Sequence, residues 1–339
     1  MLAHSLAFFS ILAGYLTLVT SMHGGEAYYT GYESFTVGDD RISGTDSWVG
    51  TYNGAKLHGV VAESEHGVLG IGNAGFVGGN PDSVTKAGSG NSVYVRRPVP
   101  LDPVALNQEV MTFNVIFGIS DSSTTSRRDN FEYLVFNQSN QLLGSIQFDN
   151  ATLDLNGKPR RLIYRSSWNK SINSFQYVLT DLTFLSETLE PLEIRINFRT
   201  NLWSASLSGV PIFQDTPFYT GSSTKNFGSM LVKMAVMNTT ATTLLPGDNF
   251  MLFDDYSIRT DPVTTALELS KSNTGAPMLA WNEEAGYSYQ VQYSSDLKTW
   301  RTDLPNSTRT ATLTGSFSFT DPSMVIPPQR FYRVKSTPP

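Results

Sequence analysis

Two carboxylates stand where strand alternation turns them inward. In Leu252-Phe-Asp-Asp-Tyr-Ser-Ile258 a period of two sets Asp254 on the face of Leu252, Tyr256 and Ile258, and Glu33 shares a face with Phe35. A buried carboxylate needs a compensating partner. Ca²⁺, which takes carboxylate and backbone oxygens, is one such partner; backbone amides or an arginine are the alternatives. His58, Glu63, Glu65 and His66 form a second compact polar group. It matches neither His-Glu-x-x-His nor another known ligand spacing, so a solvated loop is expected. The run Gly70-Ile-Gly-Asn-Ala-Gly75 fits G-x-G-x-x-G only formally, because Phe76-Val-Gly-Gly-Asn-Pro81 follows and cannot start a helix. There is no G-x-S-x-G elbow for a hydrolase nucleophile. The absence of cysteine removes thiol catalysis and cysteine-based metal sites.

Sugar recognition asks for less: an exposed aromatic platform with amides or carboxylates around it. Trp168, within Tyr164-Arg-Ser-Ser-Trp-Asn-Lys170, has polar neighbours and is the first candidate, with Tyr164 beside it. Trp48, in a Gly/Asp/Ser loop, is the second. For both, the alternative is a ring that merely covers the edge of the fold. Trp203, Trp281 and Trp300 read as core residues.

The elements that must carry these residues are strands. Met111, Phe113, Val115 and Phe117 alternate with smaller or polar residues, and Ile194, Ile196 and Phe198 alternate with Glu193, Arg195, Asn197 and Arg199. The second pattern predicts one core face and one charged, solvated face. Gly 27, Pro 17 and 12% aromatics fit a turn-rich all-β chain. A formal charge of -6 leaves no basic stripe to neutralise phosphates, which argues against nucleic acid. The apolar run Ser5 to Val19, with small residues at Gly25-Glu-Ala27 or Val19-Thr-Ser21, reads as a secretory leader, although no Lys or Arg precedes it. An uncleaved anchor is the alternative, and no later segment is apolar enough to span a membrane. A boundary near Thr260-Asp-Pro-Val263 separates a second set of short strands. The expected division is a leader over 1–27, a large domain over 28–262 and a small β-sandwich over 263–339.

Several stretches carry a family resemblance. Tyr32-Glu-Ser-Phe35, Arg128-Asp-Asn-Phe131 through Phe148, Leu202-Trp-Ser-Ala-Ser-Leu-Ser-Gly209 and Phe253-Asp-Asp-Tyr-Ser-Ile258 together resemble bacterial concanavalin A-like (laminin G-like) jelly rolls. Trp281, Tyr287 through Trp300 and Arg330-Phe-Tyr-Arg-Val334 resemble a fibronectin type III-like module of exported bacterial proteins. The resemblance implies that first and last strands are neighbours and can share a structural Ca²⁺, which pairs Glu33 with Asp254 and leaves Asp255 or Asp39 to assist. It also sets the terms for catalysis. Glycoside hydrolysis needs two carboxylates about 5–10 Å apart, and the Glu-x-Asp-x-x-Glu strand of jelly-roll glucanases is missing. The nearest acidic run, Glu187, Glu190 and Glu193, is interrupted by Pro191. Lyases on this fold use Tyr, His, Arg and Lys, which composition leaves open.

The expectation is therefore an exported, non-catalytic protein, secreted or held at the cell surface. Its jelly roll would recognise a polysaccharide or a surface glycan. A structural surface or matrix protein is the alternative, and a polysaccharide-degrading enzyme the third reading.

Overall fold

A computed structural model describes residues 25–39, 41–50, 57–62, 72–79, 92–122, 128–219, 221–237, 239–240, 243–244, 247–261, 263, 267–323 and 330–339. Every element named among them is a β-strand, and no helix there is long and apolar enough to cross a membrane. The larger domain is the expected jelly-roll β-sandwich of two facing sheets. One sheet runs Val210–Pro217, Leu202–Leu207, Glu190–Asn197, Val110–Ile119, Phe250–Asp261, Asn73–Gly78, His58–Ala62 and Gly38–Asp39. Gly25–Thr30 is its ninth strand and pairs with the second half of Phe250–Asp261. The facing sheet runs Ser174–Thr183, Leu162–Asn169, Leu142–Asp149, Asn130–Phe136, Phe227–Ala235, Ser92–Leu101 and Val49–Gly50. Neighbours far apart in sequence, such as Val110–Ile119 against Phe250–Asp261, weave the chain between the sheets.

The alternating residues meet between the two sheets. Phe113, Phe117, Tyr133, Phe148, Trp203 and Tyr256 are all buried in one continuous core. Burial of each large side chain is worth roughly 1.5–3 kcal/mol or more before entropy is charged against it. Gly75 permits one close approach: a methyl there would lie 2.6 Å from the ring of Phe253 on the neighbouring strand.

The smaller domain has its own core, including Leu279, Trp281, Tyr287, Tyr289 and Phe319. It forms between two three-stranded sheets, Leu267–Lys271, Pro277–Glu283, Gly315–Thr320 and Thr308–Thr310, Ser288–Ser294, Phe331–Thr337. Trp300 departs from expectation: it is half-buried at the surface, with the Arg333 guanidinium 4.2 Å from its ring centre.

The charged ladder on Glu190–Asn197 is not solvated along its length, because the smaller domain sits on part of it. Arg195 donates to both carboxylate oxygens of Glu284, and Asn197 donates to the same carboxylate. Glu109 accepts from Arg199 and from the Tyr287 hydroxyl. Asp215 accepts from the backbone and hydroxyl of Thr314. The expected leader falls mostly on residues 1–24, outside the described residues. Its expected end at Ala27 lies inside the strand Gly25–Thr30, where Gly25 and Glu26 already pair with Thr260 and Arg259.

Candidate functional site

Register across the seven-stranded sheet assembles one polar and aromatic row on its outward face. Leu179 pairs with Tyr164, Tyr164 with Gln147, Gln147 with Glu132, Glu132 with Lys233 and Lys233 with Tyr94. Directly paired residues share a face, as do residues two apart on a strand. Trp168 and Ser166 therefore join Tyr164, while Tyr177 and Phe175 join Leu179. The opposite face carries Tyr133, Ile146, Ile163 and Val232, all buried in the core.

At the middle of this row sits a buried charge. Glu132 is only 1% exposed. Lys233 Nζ lies 2.9 Å from one of its oxygens, and the Tyr177 hydroxyl donates to the other. Tyr177 reaches Glu132 past two intervening strands. Three strand spacings of roughly 4.8 Å exceed what the two side chains span on a flat sheet, so the sheet curls toward this face. Burial, and then the charge of Glu132, push the Tyr177 phenol well above its ordinary value, which keeps it a donor.

The expected platform residues separate. Trp168 and Tyr164 lie on one face of the strand Leu162–Asn169, both half-buried. Trp168 packs against Phe175 and Tyr219, with ring centres 5.0 and 4.9 Å away. Trp48 is a correction. It is 1% exposed, packed among Tyr32, Phe253 and Tyr256, and its indole N–H donates to the Tyr28 hydroxyl. The Gly/Asp/Ser loop read as an exposed setting instead folds this ring into the core, where its area is best used.

Neither carboxylate faces the core as alternation predicted: Glu33 is exposed in the turn after Gly25–Thr30, and Asp254 lies on the face opposite the core residue Phe253, at an irregularity that alternation could not foresee. The ladder between Phe250–Asp261 and Val110–Ile119 slips between Asp254 and Ser257, and Asp255 adopts a positive φ of 49°. This β-bulge breaks the strict inward-outward order. A methyl built on Gly31 would lie 3.8 Å from a carboxylate oxygen of Asp254 and of Asp255. Asp254 is 3% exposed and its Oδ1 has no hydrogen-bond partner. Burial foremost, with the charges of Asp255 and Glu33 adding, pushes its carboxyl up to about 7. Asp255 spends one oxygen on the Tyr29 hydroxyl, 2.7 Å away. Glu33 accepts from the Asn73 backbone at 3.3 Å and lies against Gly72, whose φ of +70° and lack of Cβ make room for it. Among the described residues no three His, Cys, Asp or Glu side chains gather as a metal set. A cation here would thus draw on Asp254, Glu33 and backbone oxygens.

Among the described residues the remaining motifs bring no further site together. His58 is buried in the strand His58–Ala62, whereas Glu63, Glu65 and His66 lie outside the described residues. Gly75 belongs to a strand rather than a phosphate loop. Glu190 accepts from the Leu185 backbone, and Glu193 faces outward. Glu132, Lys233 and Tyr177 were not singled out from the sequence. Alternation in Asn130-Phe-Glu-Tyr-Leu134 marks Glu132 as outward, but only cross-strand register brings its partners to it.

No protein-family model matches the chain, and no curated protein does. Among solved structures, the CBM2 module of the evolved Dit of Lactobacillus casei BL23 phage J-1 is similar at 12% identity, covering 71% of this chain and 98% of that one, with a TM-score of 0.44. The endo-1,3-beta-glucanase from Streptomyces sioyaensis is similar at 10% identity over 71% of this chain and 98% of that one, TM-score 0.42. A sialidase is similar at 8% identity over 67% of this chain, TM-score 0.40, and the chain spans 18% of its length. Such distant likenesses carry no argument about ligand or reaction.

Proposed function

We propose that this is an exported, non-catalytic glycan-binding protein whose jelly roll receives the sugar chain on the outward face of the seven-stranded sheet. The observation that carries the reading is the shared face of Tyr164 and Trp168. Four residues apart on one strand, they stand about 13 Å apart along it, a spacing that suits two pyranose rings of one oligosaccharide chain. Gln147 and Lys233, both partly exposed, offer hydrogen bonds beside them. Binding is favoured over hydrolysis because Glu132 is the sole carboxylate of its strand and is already held by Lys233 and Tyr177. A hydrolytic pair needs a second acid across the sugar.

The smaller domain acts as a fibronectin type III-like spacer, fixed to the opposite sheet so that the glycan face stays clear. A structural Ca²⁺ belongs to the same reading. Asp254 and Glu33 would hold it, and the orphaned Asp254 oxygen is the observation in its favour. Its charge would compensate the buried carboxylate and join the first strand of the domain to the last.

The test is retention of the purified chain on a panel of soluble and insoluble polysaccharides. Retention of one class, lost in Trp168→Ala and weakened in Tyr164→Ala, supports the reading. No retention across the panel overturns it and favours a structural surface role.

A further inference from the structure

Among the described residues the jelly roll leaves several strand edges unpaired, and natural sheets protect such edges against other strands. Val210–Pro217 carries Pro211 and Pro217, and its Gln214 and Asp215 are engaged by Thr314 of the smaller domain. Gly38–Asp39 and Val49–Gly50 are two residues long. Gly25–Thr30 is interrupted by a register shift and bears Glu26. Ser174–Thr183 has none of these defences over its first six residues. Ser-Phe-Gln-Tyr-Val-Leu contains no proline, glycine or charge, and its pairing with Leu162–Asn169 is regular from Ser174 to Leu179. Tyr177, Val178 and Leu179 are 48%, 38% and 49% exposed. A segment of this composition on an open edge is built to pair.

We propose that this edge pairs antiparallel with the same edge of a second copy of the chain, joining two seven-stranded sheets into one. Charge selects both the partner and the direction. The run itself is neutral, so two copies meet without repulsion, and the nearest flanking charges are Lys170 before it and Asp181 after it. An antiparallel pair brings the Lys170 end of one copy toward the Asp181 end of the other. A parallel pair would set like against like. A two-fold axis at Tyr177 sets Leu179 against Phe175 of the second copy and Gln176 against its Val178. Moving the axis by one residue toward Val178 would put Phe175 opposite Asp181, and the other way would leave Leu179 opposite Asn173. The interface is isologous and closes as a dimer. It would also set two outward faces side by side, so that a repeating ligand on those faces is gripped twice.

The purified full chain, examined by sedimentation velocity over a dilution series, is expected to show a monomer–dimer equilibrium. Val178→Lys should weaken it at least ~10-fold, while Leu155→Lys, on an exposed loop elsewhere, should leave it unchanged. The natural chain has no cysteine, so a mixture of Gln176→Cys and Val178→Cys chains reports register directly. The disulfide-linked species should form in the mixture and far less in either variant alone. A natural chain that stays monomeric, or a dimer indifferent to Val178→Lys with no selective cross-link, overturns the proposal. Because none of these readouts uses a glycan, their failure is distinct from failure of the glycan reading.

Discussion

Arg195 of the jelly roll holds Glu284 of the smaller domain in a two-pronged pair, with guanidinium nitrogens 2.9 and 2.5 Å from the two carboxylate oxygens. Glu284 is buried, and Asn197 and the Tyr289 hydroxyl complete the junction around it. The domains are thereby joined by specific, desolvated contacts rather than by a tether.

Removing one member of this pair leaves the other buried without compensation, which costs about 3–5 kcal/mol. Arg195→Ala should therefore lower the melting temperature and separate a single thermal transition into two. An Arg195→Met, Glu284→Leu double variant should recover much of the loss. Calorimetry checks both, and a single unchanged transition in Arg195→Ala would refute the clamp.

Glu132 makes a parallel prediction inside the larger domain. Lys233→Met should destabilise it by about 3–5 kcal/mol, since Glu132 then stays buried with the Tyr177 hydroxyl alone. Tyr177→Phe, which deletes a hydrogen bond to a charged group, should cost about 1.5–3 kcal/mol. Urea denaturation with an unchanged m-value would attribute both losses to the folded state.

Trp48→Ala should behave as a core deletion, costing about 3–5 kcal/mol, and should leave glycan retention intact in the folded fraction. Trp168→Ala should do the reverse, losing retention with a smaller stability cost because its ring is only partly buried. Measuring retention and melting temperature on both variants separates platform from core.

The Asp254 carboxyl, raised from 3.8 to about 7 chiefly by burial, yields a signed pH dependence. The folded chain holds this proton more tightly than the unfolded chain, so its stabilising contribution is complete below the unfolded value. It is lost as pH rises through the folded value. In chelator, the natural chain should lose stability from about pH 4 to about pH 7 relative to Asp254→Asn, whose slope should be flatter. Added Ca²⁺ at the upper pH should raise the melting temperature of the natural chain and not that of Asp254→Asn. A natural chain unmoved by Ca²⁺ would remove the metal from the reading while leaving the buried carboxyl in place.

Local alternation made the strands around Phe113 and Ile194 legible, because a period of two follows from backbone geometry and each residue reports its own face. The all-β, two-part organisation followed from many such runs, whereas the expected inward Asp254 failed because the bulge at Asp255 puts Phe253, not Asp254, on the core face. What alternation cannot carry is which strands become neighbours. Glu132, Lys233 and Tyr177 are scattered through the chain and meet only through register and sheet curl. Arg195 and Asn197 read as solvated because their partner, Glu284, lies nearly ninety residues on and in another core. Trp48 was misread since loop composition describes local polarity and not what packs over the loop. The residue types and the faces of the regular strands were thus decided by the sequence alone. The assembly of the outward aromatic row, a domain clamp and a buried carboxylate was decided by long-range pairing, whose energy depends on contacts that no local window contains.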